Sequence, residues 1–161
     1  KIIINNMWGN YGRIFAEYMY IKKYRQNSLS NNINVVGQNI LDEIKKGISG
    51  TKEVLKNFKN GTSIALMIDQ RVSEGIRCNF FNREALTTTI PAQFVKKFNC
   101  KIVPIYIERK NGYQFKLEIF KPIEFSKNEN VEIITSDLNQ VLEKMIKRNP
   151  EQWIWTHNRW K

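Results

Sequence analysis

Between Ser63 and Lys97 the chain reads SIALMIDQRVSEGIRCNFFNREALTTTIPAQFVKK. The unbroken apolar run Ile64-Ala65-Leu66-Met67-Ile68 has the length of a strand and is too short for a helix. It ends in three polar residues, Asp69-Gln70-Arg71. The pattern places them at the carboxyl end of a buried strand, where ligands of open α/β sheets sit. A loop carrying Gly75, Phe80, Phe81 and Arg83 is expected next. Thr87-Thr88-Thr89-Ile90-Pro91 then predicts a helix start with a threonine cap and Pro91 in its first turn. The helix continues from Gln93 to Asn99 with Phe94, Val95 and Phe98 inward.

The flanking segments complete an α/β pattern. Asn5 to Arg25 reads as an amphipathic helix, with Met7, Ile14, Phe15, Tyr18 and Ile21 at mixed helical spacing. Ile33 to Val36 is a short strand candidate, and Gln38 to Lys45 begins another helix. Lys46-Gly47-Ile48-Ser49-Gly50 passes directly into a helix over Thr51 to Asn60, which Gly61 ends. Ile102 to Arg109 and Tyr113 to Lys121 read as strands joined at Asn111-Gly112, a type I′ hairpin signal. Glu129 to Arg148 reads as a long amphipathic helix. The expected fold is a single α/β domain, a mixed sheet flanked by helices, with Ile64–Ile68, Ile102–Arg109 and Tyr113–Lys121 in that one sheet.

Charge narrows the partners. The 161 residues include 26 Lys and Arg against 15 Asp and Glu, a net charge of +11. Such an excess suits a phosphorylated lipid, a membrane surface, an acidic protein or nucleic acid. Nucleic acid is not the expected partner, although a basic nucleic-acid-binding module is an alternative on charge and aromatics alone. The chain has no helix-turn-helix, zinc-finger or RNP pattern, and its cations are scattered over all elements. Cys78 and Cys100 form no CxxC pair and read as reduced thiols. No His/Cys cluster has ligand spacing, so no metal or cofactor is expected. No apolar run approaches the ~18 residues of a spanning helix. The chain begins at Lys1 and not at Met, so its start is not expected to be that of the gene product.

The candidate chemistry gathers around the first stretch. Asp69 is either an active-site carboxylate or a partner of Arg71. Arg71, Arg77 and Arg83 either fork onto phosphates or form a solvated basic loop. Phe80-Phe81 either lines an acyl groove or plugs the core. Trp153, Trp155 and Trp160, with Arg159 and Lys161, either meet a membrane or substrate or pack the C-terminus down. Histidine is the usual general base. The single histidine, His157, has no acid at the fifth position after it and reads as structural or surface-lying.

The order Asp69-Gln70, Phe80-Phe81, Ala85, Thr87, Thr89 and Pro91 resembles the lipid A biosynthesis acyltransferases, the lauroyl/myristoyl transferases of the lipopolysaccharide precursor. Gly12-Arg13 with Ala16-Glu17-Tyr18 is similar to that family's N-terminal helix, and Lys101 to Phe120 to its strand pair. Asn149-Pro150-Glu151-Gln152-Trp153-Ile154-Trp155-Thr156-His157-Asn158-Arg159-Trp160-Lys161 resembles its terminal signature, the most specific of the four. The resemblance implies a glycerolphosphate acyltransferase-like fold. It implies transfer of an acyl chain from acyl carrier protein to a hydroxyl of an anionic lipid A precursor, at the cytoplasmic face of the bacterial inner membrane. It implies an active-site role for Asp69, and a membrane helix upstream of Lys1. It also implies a βα segment between Lys45 and Gly47 that bears a histidine-x4-acid motif and upwards of ~50 residues. Without that segment the expectation shifts to a catalytically inactive remnant of the family.

Overall fold

The computed structural model of the chain describes residues 2–5, 48–112 and 114–161. The helix expected over 6–25, the strand over 33–36, the helix over 38–45 and the junction at Lys46-Gly47 lie outside the described residues. Asn5, expected to open that first helix, instead closes a strand, β1 (Ile2–Asn5).

Three further strands join β1 in one sheet. β2 (Ile64–Met67) and β5 (Ile102–Arg109) both run parallel to β1, and β6 (Phe115–Ile119) pairs antiparallel to β5. The order is β2-β1-β5-β6, so the sheet is mixed and holds the three expected strands. The doubly buried strand is β5, whose residues 102–107 are all buried. β2 was expected to be covered on both faces, but it alternates: Ile64 is buried while Ala65 and Met67 are exposed. A strand of alternating burial needs cover on one face only.

The segment expected to be a loop after Arg71 is a hairpin. β3 (Ile76–Phe80) and β4 (Arg83–Thr87) pair antiparallel, with Phe80 opposite Arg83. Only Phe81 and Asn82 separate them, both at positive φ, 52° and 58°. That is the backbone of a two-residue hairpin turn whose twist matches the strands. The cue Asn111-Gly112 behaves differently. Gly112 takes φ 53°, but Asn111 is not among the positive-φ residues, and the connection spans 110–114. A type I′ turn needs positive φ at both central residues, so the longer loop replaces it.

Among the described residues three α-helices enclose the core. α1 (Ile48–Lys59) ends at Gly61, at φ 85°, with the Thr62 N–H returning to Asn57 O at 3.0 Å. α2 (Ile90–Phe98) has Pro91 in its first turn. The expected threonine cap is weaker than its sequence suggests. Thr89 sits at the cap position without a capping bond, its Oγ1 accepts from Gln93 Nε2, and Thr88 Oγ1 accepts the Ile90 N–H at 3.3 Å. α3 (Val131–Arg148) begins at Asn130, whose side chain accepts the Glu132 N–H at 3.1 Å. Its buried stripe includes Ile134, Leu138, Leu142 and Ile146. These pack with Ile68, Phe80, Ala85, Phe94, Val95 and Ile102 in the main core. Phe58 of α1 meets Phe94 edge-on, with ring centres 4.9 Å apart.

Gly75 packs close against the backbone of β4. A Cβ at that position would lie far inside contact distance of the Thr87 carbonyl. Because the obstacle is backbone, no side-chain rotation relieves it. Gly75→Ala is therefore expected to destabilise the chain by about 1–3 kcal/mol, the range for overpacking, read as a lowered midpoint in urea unfolding. An unchanged midpoint would mean that the segment from Val72 to Gly75 is free to move off β4.

Candidate functional site

Asp69 lies two residues beyond the end of β2, so the sheet delivers it to the carboxyl edge. It is 2% exposed. Trp153 Nε1 donates to its Oδ2 at 3.3 Å. Its pKa is raised from 3.8 to about 6. Burial is the largest cause, opposed by the Trp153 bond, a backbone hydrogen bond and the Arg159 charge. A carboxyl so placed is poised between its two protonation states near neutral pH.

Arg159 closes the other side of this pocket of polar groups. Its guanidinium donates through Nη1 to Leu86 O and through Nη2 to Thr87 Oγ1, the latter at 3.0 Å. Its Cζ lies 5.5 Å from the centre of the Phe80 ring. Burial lowers its pKa, and the Asp69 charge raises it. Asn139, on the buried stripe of α3, donates Nδ2 both to Thr87 Oγ1 and to Asn79 O, each at 3.1 Å. Thr87 is thus the node where the C-terminal segment, α3 and β4 meet. Asp69 Oδ1, Asn139 Oδ1 and Arg159 Nε are buried without a hydrogen-bond partner among the described residues. Orphaned buried groups of this kind are uncommon and mark a site under functional or structural tension.

The segment 150–161 folds over this network through further bonds to the hairpin and to the end of β2. Trp160 Nε1 donates to Phe80 O at 2.9 Å. The Arg71 N–H donates to His157 Nε2 at 3.1 Å. Phe80, Phe81, Trp153, Trp155 and Trp160 form one aromatic cluster, with neighbouring ring centres 4.6–6.4 Å apart. Within it Phe80 is core and Phe81 is half-buried at the hairpin tip.

The four residues expected to share one cleft are divided. Asp69 is inside, while Arg71, Arg77 and Arg83 are exposed. Arg83 stacks its Cζ 5.4 Å from the Trp160 ring centre and so joins the aromatic cluster. Arg77 alternates with the buried Cys78 and Phe80 along β3, and therefore points away from the core face. Arg159 was expected to touch membrane or substrate directly. It is instead 1% exposed, because its fork is used by Leu86 and Thr87 inside the protein. Lys161 is exposed. Thr87 was read as part of a helix start but ends β4. Asn139 was missed, although a polar side chain in the apolar stripe between Leu138 and Leu142 is a visible signal. Among the described residues no group of three His, Cys, Asp or Glu could hold a metal ion, and no helix is long and apolar enough to cross a membrane.

The Asp69 shift has a definite sign. Its folded pKa of about 6 exceeds the reference value of 3.8, so the folded state binds more protons between those values. The resulting stabilisation is full below the lower value and is lost as pH rises through the upper one. Asp69→Asn keeps an acceptor for Trp153 and removes the titration. It is expected to gain stability relative to the parent chain by about 3 kcal/mol between pH 4 and pH 7.5. Urea unfolding of both proteins across that range measures it, and parallel curves would mean that the carboxyl is solvated. Asn139→Ala strips two donors from buried acceptors and is expected to cost about 2–4 kcal/mol; a loss below 0.5 kcal/mol would make the Thr87 node dispensable.

A search of curated proteins finds no match. The family model described as bacterial lipid A biosynthesis acyltransferase matches residues 44–161. That span holds the hairpin, α2, both Asp69 and the segment that buries it, and α3. The chain belongs to the bacterial lipid A biosynthesis acyltransferase family.

Proposed function

We propose that this protein transfers a fatty acyl chain from acyl carrier protein to a hydroxyl of a lipid A precursor, on a glycerolphosphate acyltransferase-like fold at the cytoplasmic face of the bacterial inner membrane. One observation carries the reading. Two sequence signatures 84 residues apart meet in a single partly buried bond, Trp153 Nε1 to Asp69 Oδ2. Acyl transfer from a thioester needs a base for the hydroxyl proton and donors for the developing oxyanion. Asp69 is almost wholly buried, which favours a positioning role over direct contact with a substrate hydroxyl. Its role is positioning: it fixes Trp153 and, through the Arg159 charge, the strand-end geometry around Thr87. The +11 charge suits both the acidic carrier protein and the phosphorylated acceptor.

The base is proposed to come from a βα segment between Lys45 and Gly47 in the gene product, since His157 Nε2 already accepts the Arg71 N–H. That same engagement favours a second reading, in which the 161 residues by themselves form an inactive member of the family.

The deciding experiment incubates the purified protein with radiolabelled acyl carrier protein thioester and a lipid A precursor bearing a free hydroxyl. Intact mass is measured on the same sample. A product one acyl chain heavier supports the first reading. Asp69→Ala is then expected to lower kcat about 10²-fold with little change in KM, the cost of misplacing a site. A folded chain whose mass equals that of 161 residues, and which transfers nothing, establishes the second reading.

A further inference from the structure

The exposed side of the aromatic cluster has a composition that the buried network does not require. Trp155 is 46% exposed and Ile154 38%. Phe81 lies beside Trp155, with ring centres 5.9 Å apart. The indole N–H groups are all engaged within the protein: Trp153 to Asp69, Trp160 to Phe80 O and, at the surface, Trp155 to Pro150 O. The tryptophans therefore offer apolar ring surface outward and no unmet donor.

The backbone at Phe81 points the same way. A two-residue hairpin turn favours Asn or Gly where φ is positive. Here a bulky aromatic residue holds φ 52°. For a residue with a Cβ this conformation costs roughly 1–2 kcal/mol. The tip is held in place because the Phe81 N–H donates to Glu143 Oε1 at 2.7 Å. An observed strained residue of this kind is a reason to look for function.

Cations flank the same rings. Lys147 Nζ lies 5.6 Å from the centre of the Phe81 ring, and Arg83 Cζ 5.4 Å from that of Trp160. The facing carboxylate is Glu143, 3.7 Å from Lys147 Nζ. We infer that the β3–β4 hairpin tip and the C-terminal tryptophans form an interfacial anchor for an anionic bilayer, with Phe81, Ile154 and Trp155 entering the headgroup boundary and Lys147 and Arg83 meeting lipid phosphates. Aromatic rings with apolar outward surface and flanking cations suit that boundary. The inference rests on the membrane side of the proposed function, but its test reads lipid binding and is independent of acyl transfer.

The full chain is mixed with vesicles of phosphatidylglycerol and phosphatidylcholine, or of phosphatidylcholine alone, and binding is read by co-sedimentation. Binding to the anionic vesicles is expected to be stronger and to weaken with salt. Tryptophan emission should be quenched by brominated lipid, and less so in Trp155→Phe. Phe81→Asn suits the left-handed turn, so it is expected to keep or raise thermal stability while weakening vesicle binding about tenfold. Lys147→Ala is expected to weaken it about fivefold at low salt. Equal binding to both vesicle types, unchanged binding of both variants, or absence of quenching would overturn the anchor. Saturable binding to an acidic carrier protein that Phe81→Asn abolishes, with no vesicle binding, would assign the patch to a protein partner and overturn it equally.

Discussion

The burial of the Arg159 guanidinium is the constraint around which the described structure is arranged. A cation taken out of water costs several kcal/mol unless hydrogen bonds and opposite charge replace its hydration. Here the replacement comes from three places in the sequence. Leu86 O and Thr87 Oγ1 accept from the guanidinium, Phe80 lies against it, and Asp69 supplies the nearby negative charge. None of these groups can move far without exposing an unpaired donor. The end of β2, the hairpin and the last residues of the chain are therefore held as one unit.

That arrangement is incomplete in a telling way. Were Arg159 fully paired with Asp69, the carboxyl would be driven below its ordinary range. Burial outweighs the pairing instead and holds it at about 6. Among the described residues, one oxygen of Asp69, one of Asn139 and the Nε of Arg159 have no hydrogen-bond partner. The network stabilises the fold through its satisfied bonds and stays tense at the others. Such a compromise is common where a site must keep a group near its titration point.

The hairpin links this interior to the surface. Alternation along β3 and β4 sends Cys78, Phe80, Ala85 and Thr87 inward and Arg77, Asn79 and Glu84 outward. Its two-residue turn brings Phe81 to Trp155, while Glu143 of α3 fixes the tip from behind. A single aromatic cluster thus has a buried edge on the polar network and an exposed edge facing solvent. Membership of the bacterial lipid A biosynthesis acyltransferase family is compatible with this division.

Much of this was legible in the sequence wherever one local rule governed. The run Ile64–Ile68, the strand Ile102–Arg109 and the long helix ending at Arg148 follow from periodicity alone, because burial of apolar residues sets their spacing. The family resemblance was carried by short signatures, Asp69-Gln70 and Pro150-Glu151-Gln152-Trp153 among them. Long-range contacts were not legible. A Phe-Asn turn has no glycine to announce it, and β3 and β4 are short, so the hairpin was read as a loop. Arg159 looks like a surface cation in sequence, since terminal arginines usually are. Only the tertiary fold brings Leu86 and Thr87 within reach of its fork. Asp69 could be placed at a strand end from its neighbours, but its depth and the raised pKa that burial causes are tertiary, and its bonding partner Trp153 lies 84 residues away. Local pattern determined which elements form, because each is fixed by its neighbours in sequence. Tertiary structure decided which charges are buried, because that depends on partners the chain supplies from far away.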